Sequence, residues 1–202
     1  MSSADRSIET LDLIGGTPAL DFANTINSRR APVHDYLHSA IDVIAWAARA
    51  GLVTEAERSG LEHQARMHPD IAAGIQRDAR VQREAIYRTF SARAARGAPA
   101  ENDIRLVTTA YATAVGRARF TLGAAGDLRP SWQLATQLAE LLDPIAYAAG
   151  QLLLNGLEDA VGECPNCGWL FLDRSRNGSR RWCDMRTCGS RDKMRRCRQR
   201  RK

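Results

Sequence analysis

Long apolar runs are missing from this sequence of 202 residues. The longest candidate, residues 144–154, is shorter than the roughly 18 residues that a membrane-spanning helix needs. Residues 1–16 contain three acidic side chains and lack the apolar stretch of a secretion signal. We therefore expect a cytoplasmic protein with no membrane partner, in which cysteine thiols stay reduced.

Aromatic residues and lysine are also scarce. Aromatics make up 6% of the chain, and lysine occurs only at Lys193 and Lys202, so nearly all positive charge comes from arginine. Alanine and leucine are abundant, which favours helices over sheets. The sequence thus predicts a mainly α fold.

Capping signals predict five helices between residues 17 and 117. The first helix is expected to reach Ile26-Asn27, and the second to end at Gly51. The fifth helix is expected to end at Arg117. The fourth carries an apolar stripe at helical spacing. The predicted starts are Thr17-Pro18, Ser39, Thr54, Pro69 and Glu101, and the stripe is Ile71, Ile75, Ala79, Ile86 and Phe90.

A different pattern follows the fifth helix. Phe120–Leu122 and Leu128, separated by glycines, predict a short β-hairpin. A leucine repeat from Leu134 to Leu142 predicts a helix, and Asp143-Pro144 predicts the start of a last, almost entirely apolar helix that runs to about Val161. We accordingly divide the chain into a helical domain, 1–160, and a small hairpin-and-helix zinc finger, 161–202.

Four of the five cysteines form two pairs, Cys164-x2-Cys167 and Cys183-x4-Cys188, with 15 residues between them. A two-residue gap lets two thiolates reach one ion from a single tight turn, and the second pair would close a tetrahedral site. We predict one Zn²⁺ on these four thiolates; free structural cysteines and an iron–sulfur site are the alternatives. Cys197 has no partner nearby and is interpreted as a spare thiol or a redox group.

Strand and turn signals lie between the two pairs. Trp169–Leu172 predicts a short strand, Asn177-Gly178 a hairpin turn, and Arg180–Trp182 the returning strand. From Arg191 onward the chain lacks proline and glycine and is compatible with a helix. Residues 161–202 are too few to bury enough surface to fold alone. We therefore expect the metal to stabilise this segment.

Charge is strongly segregated along the chain. From Cys164 onward there are 13 Lys and Arg against 3 Asp, a formal charge of +10, whereas the preceding residues carry 16 basic and 20 acidic side chains, net −4. A basic segment beside a metal scaffold predicts binding to phosphates of nucleic acid, most of all DNA; a solvated charge run is the alternative. We expect Arg180, Arg181 and Arg191 to read bases and the later arginines to contact phosphates. The full predicted set is Arg174, Arg176, Arg180, Arg181, Arg191, Lys193, Arg195, Arg196, Arg198, Arg200 and Arg201.

Two stretches resemble known families. The run from Cys164 to Arg191, which includes Trp169, Phe171, Asp173 and Arg180-Arg181-Trp182-Cys183, resembles the CGNR zinc finger; its name-giving motif stands here as Cys188-Gly189-Ser190-Arg191, with serine in place of asparagine. The stretches Gly15-Gly16, Pro18, Leu20-Asp21-Phe22, Asn24-Thr25 and Trp46…Gly51-Leu52 resemble the ABATE domain. The resemblance implies a bacterial, stress-linked transcriptional regulator that binds DNA through the finger.

The resemblance and the charge pattern leave three functions open. The first is a DNA-binding regulator whose helical domain senses a ligand or stress; the others are an RNA- or ribosome-binding zinc protein and a thiol-redox regulator. We expect no enzyme, because a four-cysteine site leaves no open metal position and the histidines lack catalytic spacing.

A polar face on the first predicted helix is the candidate effector site. Asp21, Asn24, Thr25 and Ser28 recur at helical spacing, and we take the first three as candidate ligand-binding residues for a small molecule. Capping or interhelical hydrogen bonds, docking of the finger and contact with a second subunit in a homodimer are the alternatives. We expect residues 1–160 to regulate the finger without binding DNA.

Overall fold

The computed structural model describes residues 7–30, 33–123, 126–134 and 137–199. Within these residues the chain forms seven α-helices and four short strands, so the predicted mainly α class is confirmed. In chain order they are α1 Pro18–Ala23, α2 Ala40–Arg49, α3 Glu55–Met67, α4 Pro69–Ala94, α5 Glu101–Arg117, β1 Arg119–Leu122, β2 Leu128–Ser131, α6 Asp143–Leu154, β3 Val161–Glu163, β4 Leu170–Leu172 and α7 Ser190–Gln199.

Side-chain caps begin three helices where the sequence predicts them. The Thr17 hydroxyl accepts a hydrogen bond from the backbone N of Ala19, and Ser39 and Thr54 each form a capping box with the acidic residue three positions later. Such caps satisfy the free N–H groups of the first turn. Gly51 follows α2 with φ +70°, the left-handed conformation of a helix C-terminus.

Helix α4 forms the centre of the helical body (residues 7–160). It contacts α1, α2, α3 and α5, and also strand β3. Ile75, Ala79, Ile86 and Phe90 of the predicted stripe are buried, whereas Ile71 in the first turn is 51% exposed. The stripe prediction therefore holds for all but its first residue.

The first helix is shorter than predicted. It ends at Ala23, and residues beyond it form a loop in which Ile26 pairs with Asp35 in an isolated antiparallel bridge. The carbonyl of Ile26 accepts a hydrogen bond of 2.7 Å from the indole N–H of Trp169, a contact that local sequence cannot reveal. The predicted continuation to Ile26-Asn27 is wrong.

Residues 134–161 also differ from the prediction. The β1–β2 hairpin is present, with Leu122 opposite Leu128. Among the described residues after it, the leucine repeat forms only a 3-10 turn, Leu138–Glu140, in place of the predicted helix. Helix α6 ends at Leu154 rather than near Val161, because Gly156 takes φ +65° and turns the chain toward β3.

Strand β4 has a different partner from the predicted one. It pairs antiparallel with β3, so that Gly162 lies opposite Phe171, while Arg180–Trp182 is not a strand. A Cβ on Gly162 would lie 2.6 Å from the Phe171 ring, so only glycine fits there. The predicted Asn177-Gly178 turn is present, with φ +56° at Gly178.

One hydrophobic cluster runs through the helical body and the C-terminal module (residues 161–199). It includes Trp46 and Phe90 of the helices as well as Trp169, Leu170 and Phe171 beside the cysteines. The module is therefore packed into the same core as the helices. In the part of the chain that the structure describes, no helix is both long and apolar enough to cross a membrane.

Candidate metal centre and nucleic-acid interface

The four paired cysteines meet at one point. Their sulfur atoms all lie within 4.8 Å of one another, and Sγ of Cys167 is 3.5 Å from Sγ of Cys183. A tetrahedron with metal–sulfur bonds of about 2.3 Å has sulfurs about 3.8 Å apart, so the cluster has the size of a four-thiolate metal site. The predicted set of Cys164, Cys167, Cys183 and Cys188 is thus brought together and can hold a metal ion.

The first pair sits on a tight turn. The N–H of Gly168 donates to the carbonyl of Cys164 at 2.8 Å, and the N–H of Cys164 donates to the carbonyl of Trp169 at 2.9 Å. Gly168 has φ +74°, and a Cβ there would also lie 2.6 Å from the side chain of Arg29. The knuckle therefore requires glycine both for its own turn and for its contact with the helical body.

The second pair spans a π-helical turn, Met185–Gly189. The N–H of Gly189 reaches back five residues to the carbonyl of Asp184 at 3.1 Å, which places Cys188 beside Cys183. The Asn166 side chain joins the two halves by donating to the carbonyl of Cys188 at 2.6 Å. Asn166 was missed from sequence, although its position within the knuckle is a usable signal.

The four thiols lie close enough to shift one another's pKa values. Hydrogen bonding with Cys167 lowers the pKa of Cys164, whereas hydrogen bonding with Cys164 raises the pKa of Cys183. Four thiolates at this spacing repel one another, and a bound dication removes that repulsion. The cluster is suited to a metal ion rather than to four free thiols.

The metal cluster is attached to the helical body by backbone contacts. The carbonyl of Cys167 accepts from the backbone N–H of Arg29 at 2.7 Å and from the Ser28 hydroxyl at 3.2 Å. Two strand contacts follow: the N–H of Leu172 donates to the carbonyl of Gly15 at 2.7 Å, and that of Asp173 to Ala160 at 2.7 Å. The module is thus docked through the knuckle and through the end of strand β4.

Asn24 makes the most specific of these contacts. Its amide nitrogen donates to the carbonyl of Leu170 at 2.8 Å, and its oxygen accepts from the N–H of Leu170 at 2.9 Å. Asn24 is 1% exposed, so this side chain takes the place of a strand neighbour for β4. Both of its polar groups are occupied by this docking.

The other candidate ligand residues are also engaged inside the protein. The carboxylate of Asp21 accepts from the N–H of Gly15 at 2.7 Å, and burial raises its pKa to about 6 against the lowering effect of hydrogen bonds from Gly15 and Ile14. The Thr25 hydroxyl donates to the carbonyl of Phe22 at 2.8 Å. The structure therefore gives Asp21, Asn24 and Thr25 the internal and docking roles that were the alternatives to ligand binding.

Sequence reasoning missed Arg29, whose backbone N–H bonds to the Cys167 carbonyl while its side chain is anchored inside the helical body. Its guanidinium pairs with Glu84 at 2.5 Å, donates to the carbonyl of Ala23 and lies 3.8 Å from the Tyr87 ring centroid. Glu84 and Tyr87, on α4, are brought near by the tertiary fold. Local sequence carries no signal for this role.

Arg180 is part of the scaffold. Its guanidinium donates to the carbonyls of Ile14, Leu172, Trp182 and Cys183 and lies 4.4 Å from the Phe171 ring centroid. These four bonds occupy four of the five guanidinium N–H donors, and the one that remains cannot form a bidentate contact with a base. The structure thus gives Arg180 a role different from the predicted base contact.

Most of the other predicted basic residues are exposed on the C-terminal module. Arg181 lies 4.8 Å above the Trp182 ring centroid, while Arg174 makes one hydrogen bond, to the carbonyl of Gly16. The exposed members within the described residues are Arg174, Arg176, Arg181, Arg191, Lys193, Arg195, Arg196 and Arg198, and Arg186, missed from sequence, is 93% exposed at its side chain. The predicted Arg200 and Arg201 lie outside the described residues.

Comparison with known families accounts for both parts of the chain. Residues 16–156 match ABATE, described as "Putative stress-induced transcription regulator", and residues 161–201 match the CGNR zinc finger. The chain belongs to the ABATE family. A search of curated proteins gave no match.

This ABATE protein departs from the CGNR motif at Ser190, and the structure explains how the serine is accommodated. The Ser190 hydroxyl donates to the carbonyl of Met185 at 3.1 Å, across the π-helical turn that carries Cys188. Gly189 before it is packed so that a Cβ would lie 2.9 Å from the sulfur of Met185. Serine at this position therefore makes a turn-closing bond at the metal site.

Proposed function

We propose that this protein is a zinc-dependent DNA-binding transcriptional regulator in which the C-terminal module binds DNA and the helical body regulates it. The observation that carries the proposal is the exposed arginine surface built directly on the four-cysteine cluster. Its family membership supports a regulatory role.

Zinc is the proposed metal because of the donor set. Four cysteine sulfurs at tetrahedral spacing, buried in the module, are typical of structural zinc sites, which are closed to further ligands. Native mass spectrometry is expected to find one zinc per chain. A metal-free chain with an intact module, or a chain that carries iron, would contradict this assignment.

Duplex DNA is favoured over single-stranded RNA by the burial of the aromatic residues. Trp169, Phe171 and Trp182, the aromatics of the C-terminal module, are all buried and cannot stack on unpaired bases. The exposed arginines match the phosphates of a duplex instead. With about six phosphates contacted, the logarithm of the association constant is expected to fall with the logarithm of salt at a slope near −5.

The helical body is proposed to regulate the module through the docking contacts. Asn24, Ser28 and Gly15 bond to the backbone of the strand and knuckle that position the cysteines. A ligand or stress that shifts α1 would therefore move the metal site. The net charge of −4 before Cys164 makes the helical body itself a poor phosphate ligand.

The proposal is tested by selecting ligands for the zinc-loaded full chain from two random pools, one of duplex DNA and one of RNA. Enrichment of duplex DNA sequences is expected. Enrichment of RNA alone would replace DNA by the RNA-binding alternative, and failure to enrich either pool would contradict nucleic-acid binding altogether.

A further inference from the structure

Helix α7 carries its basic side chains on two distinct faces. Residues 191, 195 and 198 follow spacings of four and three, which place them on one side of a helix, and residue 194 shares that side. We call Arg191, Met194, Arg195 and Arg198 the α7 stripe. Together with Gln199 they line one groove of about 410 Å³. Lys193 and Arg196, three residues apart, occupy the other basic face.

Asp192 sets the side chains of both faces in place. It is 4% exposed at its side chain, and its carboxylate binds Arg195 and, at 2.9 Å, Arg196. A carboxylate in the first turn also suits the positive end of the helix dipole. Arg195 and Arg196, which would otherwise repel each other, are thereby held on either side of one carboxylate. Because their side chains are already ordered, they lose less conformational entropy when they contact a ligand.

Arg191 and Arg198 are left free to bind. Within residues 7–30, 33–123, 126–134 and 137–199, neither guanidinium has a hydrogen bond or an ion pair, and both are exposed. Met194 between them is 55% exposed. Free guanidinium groups and an apolar side chain on one helix face fit base edges: arginine binds the O6 and N7 atoms of guanine, and apolar groups contact the thymine methyl.

The shape of α7 points to the major groove. Its ten residues, Ser190–Gln199, rise about 15 Å, and the B-DNA major groove, about 12 Å wide, admits a helix of this kind. The major groove of A-form RNA is too narrow for it. Through the π-helical turn of Cys188, α7 is joined directly to the metal cluster, so its orientation is set by a rigid support.

We propose that α7 is a recognition helix whose stripe of Arg191, Met194, Arg195 and Arg198 reads base edges in the major groove of duplex DNA. This inference rests on the proposed function and assigns separate roles to the basic residues of the module. Lys193 and Arg196 contact phosphates, and Arg180 positions the cysteine loop. Base reading thus keeps Arg191, which was expected from sequence, and extends along α7 to Arg198, whereas Arg180 leaves the base-reading set.

The test compares variants of the zinc-loaded full chain that change one charge on opposite faces of α7. Arg198→Gln and the matched control Lys193→Gln each remove one positive charge. Dissociation constants are measured by fluorescence anisotropy for a duplex selected by the wild-type protein and for a shuffled duplex of the same composition. Circular dichroism and metal content establish that each variant keeps α7 and its zinc.

The two variants are expected to act differently. Arg198→Gln should lower the preference for the selected duplex over the shuffled one by about 5- to 150-fold, the range for loss of one bidentate base contact. Lys193→Gln should weaken binding to both duplexes equally and make the salt slope shallower by about 0.9. Arg198→Lys, which keeps the charge but loses the planar fork, should lose preference while retaining the slope.

The outcomes separate this inference from the proposed function. An unchanged preference in both Arg198→Gln and Arg191→Gln would overturn the recognition role and leave DNA binding standing. Tighter binding of an RNA duplex than of the DNA duplex would also overturn it, since α7 cannot enter the A-form groove. A wild-type chain that binds neither nucleic acid would overturn the proposed function itself.

Discussion

Asp21 links the stability of the protein to pH. Burial raises its pKa to about 6, whereas the same carboxyl has a pKa of 3.8 in an unfolded chain. Folding therefore favours the protonated form, and the stability gained from that form, complete below pH 4, is lost as pH rises toward 6. The total change is about 3 kcal/mol, of which a little over 1 kcal/mol falls between pH 5 and pH 7.5.

Asp21→Asn removes this ionisation and keeps an oxygen that can accept from Gly15. The unfolding free energy of the variant minus that of wild type should be larger at pH 7.5 than at pH 5 by a little over 1 kcal/mol. Urea unfolding at both pH values measures it. Asp78→Asn, which changes an exposed carboxylate on α4, is the control. An equal effect of Asp21→Asn at both pH values would mean that Asp21 does not titrate in this range.

Asn24 is predicted to hold the C-terminal module in place. Asn24→Ala leaves the buried N–H and carbonyl of Leu170 without partners, which should cost roughly 2–4 kcal/mol of unfolding free energy. Asn155→Ala, which removes an exposed amide bonded to Gln151, should cost far less. Chemical unfolding compares the two variants, and equal losses would argue against the docking role.

At the scale of single elements, the α5–α6 interface depends on close approach at Gly150. A Cβ there would lie 2.1 Å from the Tyr111 ring, which is itself fixed by Tyr147 and by a hydrogen bond to Gln151. Gly150→Ala should therefore destabilise the protein by about 1–3 kcal/mol.

The matched control for this prediction is Gly116→Ala on α5. A Cβ at Gly116 meets nothing within 4 Å, so helix propensity alone should stabilise the variant by about 0.5–1 kcal/mol. Thermal unfolding measures the change in stability of both variants, which should be negative for Gly150→Ala and positive for Gly116→Ala. A stabilising Gly150→Ala would contradict the packing described for α5 and α6.

The sequence predicts elements well where their signals are local. Ser39 and Thr54 correctly predict the starts of α2 and α3, because a cap and its partner lie three residues apart. The end of α1 was not predictable, because the Ile26 carbonyl is bonded to Trp169, 143 residues away. The same holds for β4, whose partner comes from Val161–Glu163, before the first cysteine, instead of from the arginines after the turn.

The metal centre and the basic surface were likewise predictable only where the signal is local in sequence. Cysteine spacing alone predicted the four residues that the fold brings together. The division of the arginines into scaffold and free groups could not be predicted, because Arg180 is spent on carbonyls from three separate segments. Likewise, Asn24 was placed on a ligand face because its partner, Leu170, lies 146 residues away in sequence.

For the whole molecule, a shared core predicts shared unfolding. Trp169 and Leu170 are buried in the same cluster as the helices, so loss of the metal should loosen more than the C-terminal module. Calorimetry of the zinc-loaded chain should give one cooperative transition, and a chelator should move all of it to lower temperature. Two separate transitions, with only the smaller one sensitive to chelator, would contradict this coupling.

DNA binding by the C-terminal module should depend on the metal cluster, and metal content and DNA binding can be followed in one sample. Zinc is withdrawn stepwise from the full chain while metal content and affinity for a selected duplex are measured together. The amount of duplex bound at a fixed protein concentration should fall in proportion to bound zinc and return when zinc is restored. Full affinity in a chain without metal, or no affinity in a chain with one zinc, would contradict a DNA-binding surface built on the metal cluster.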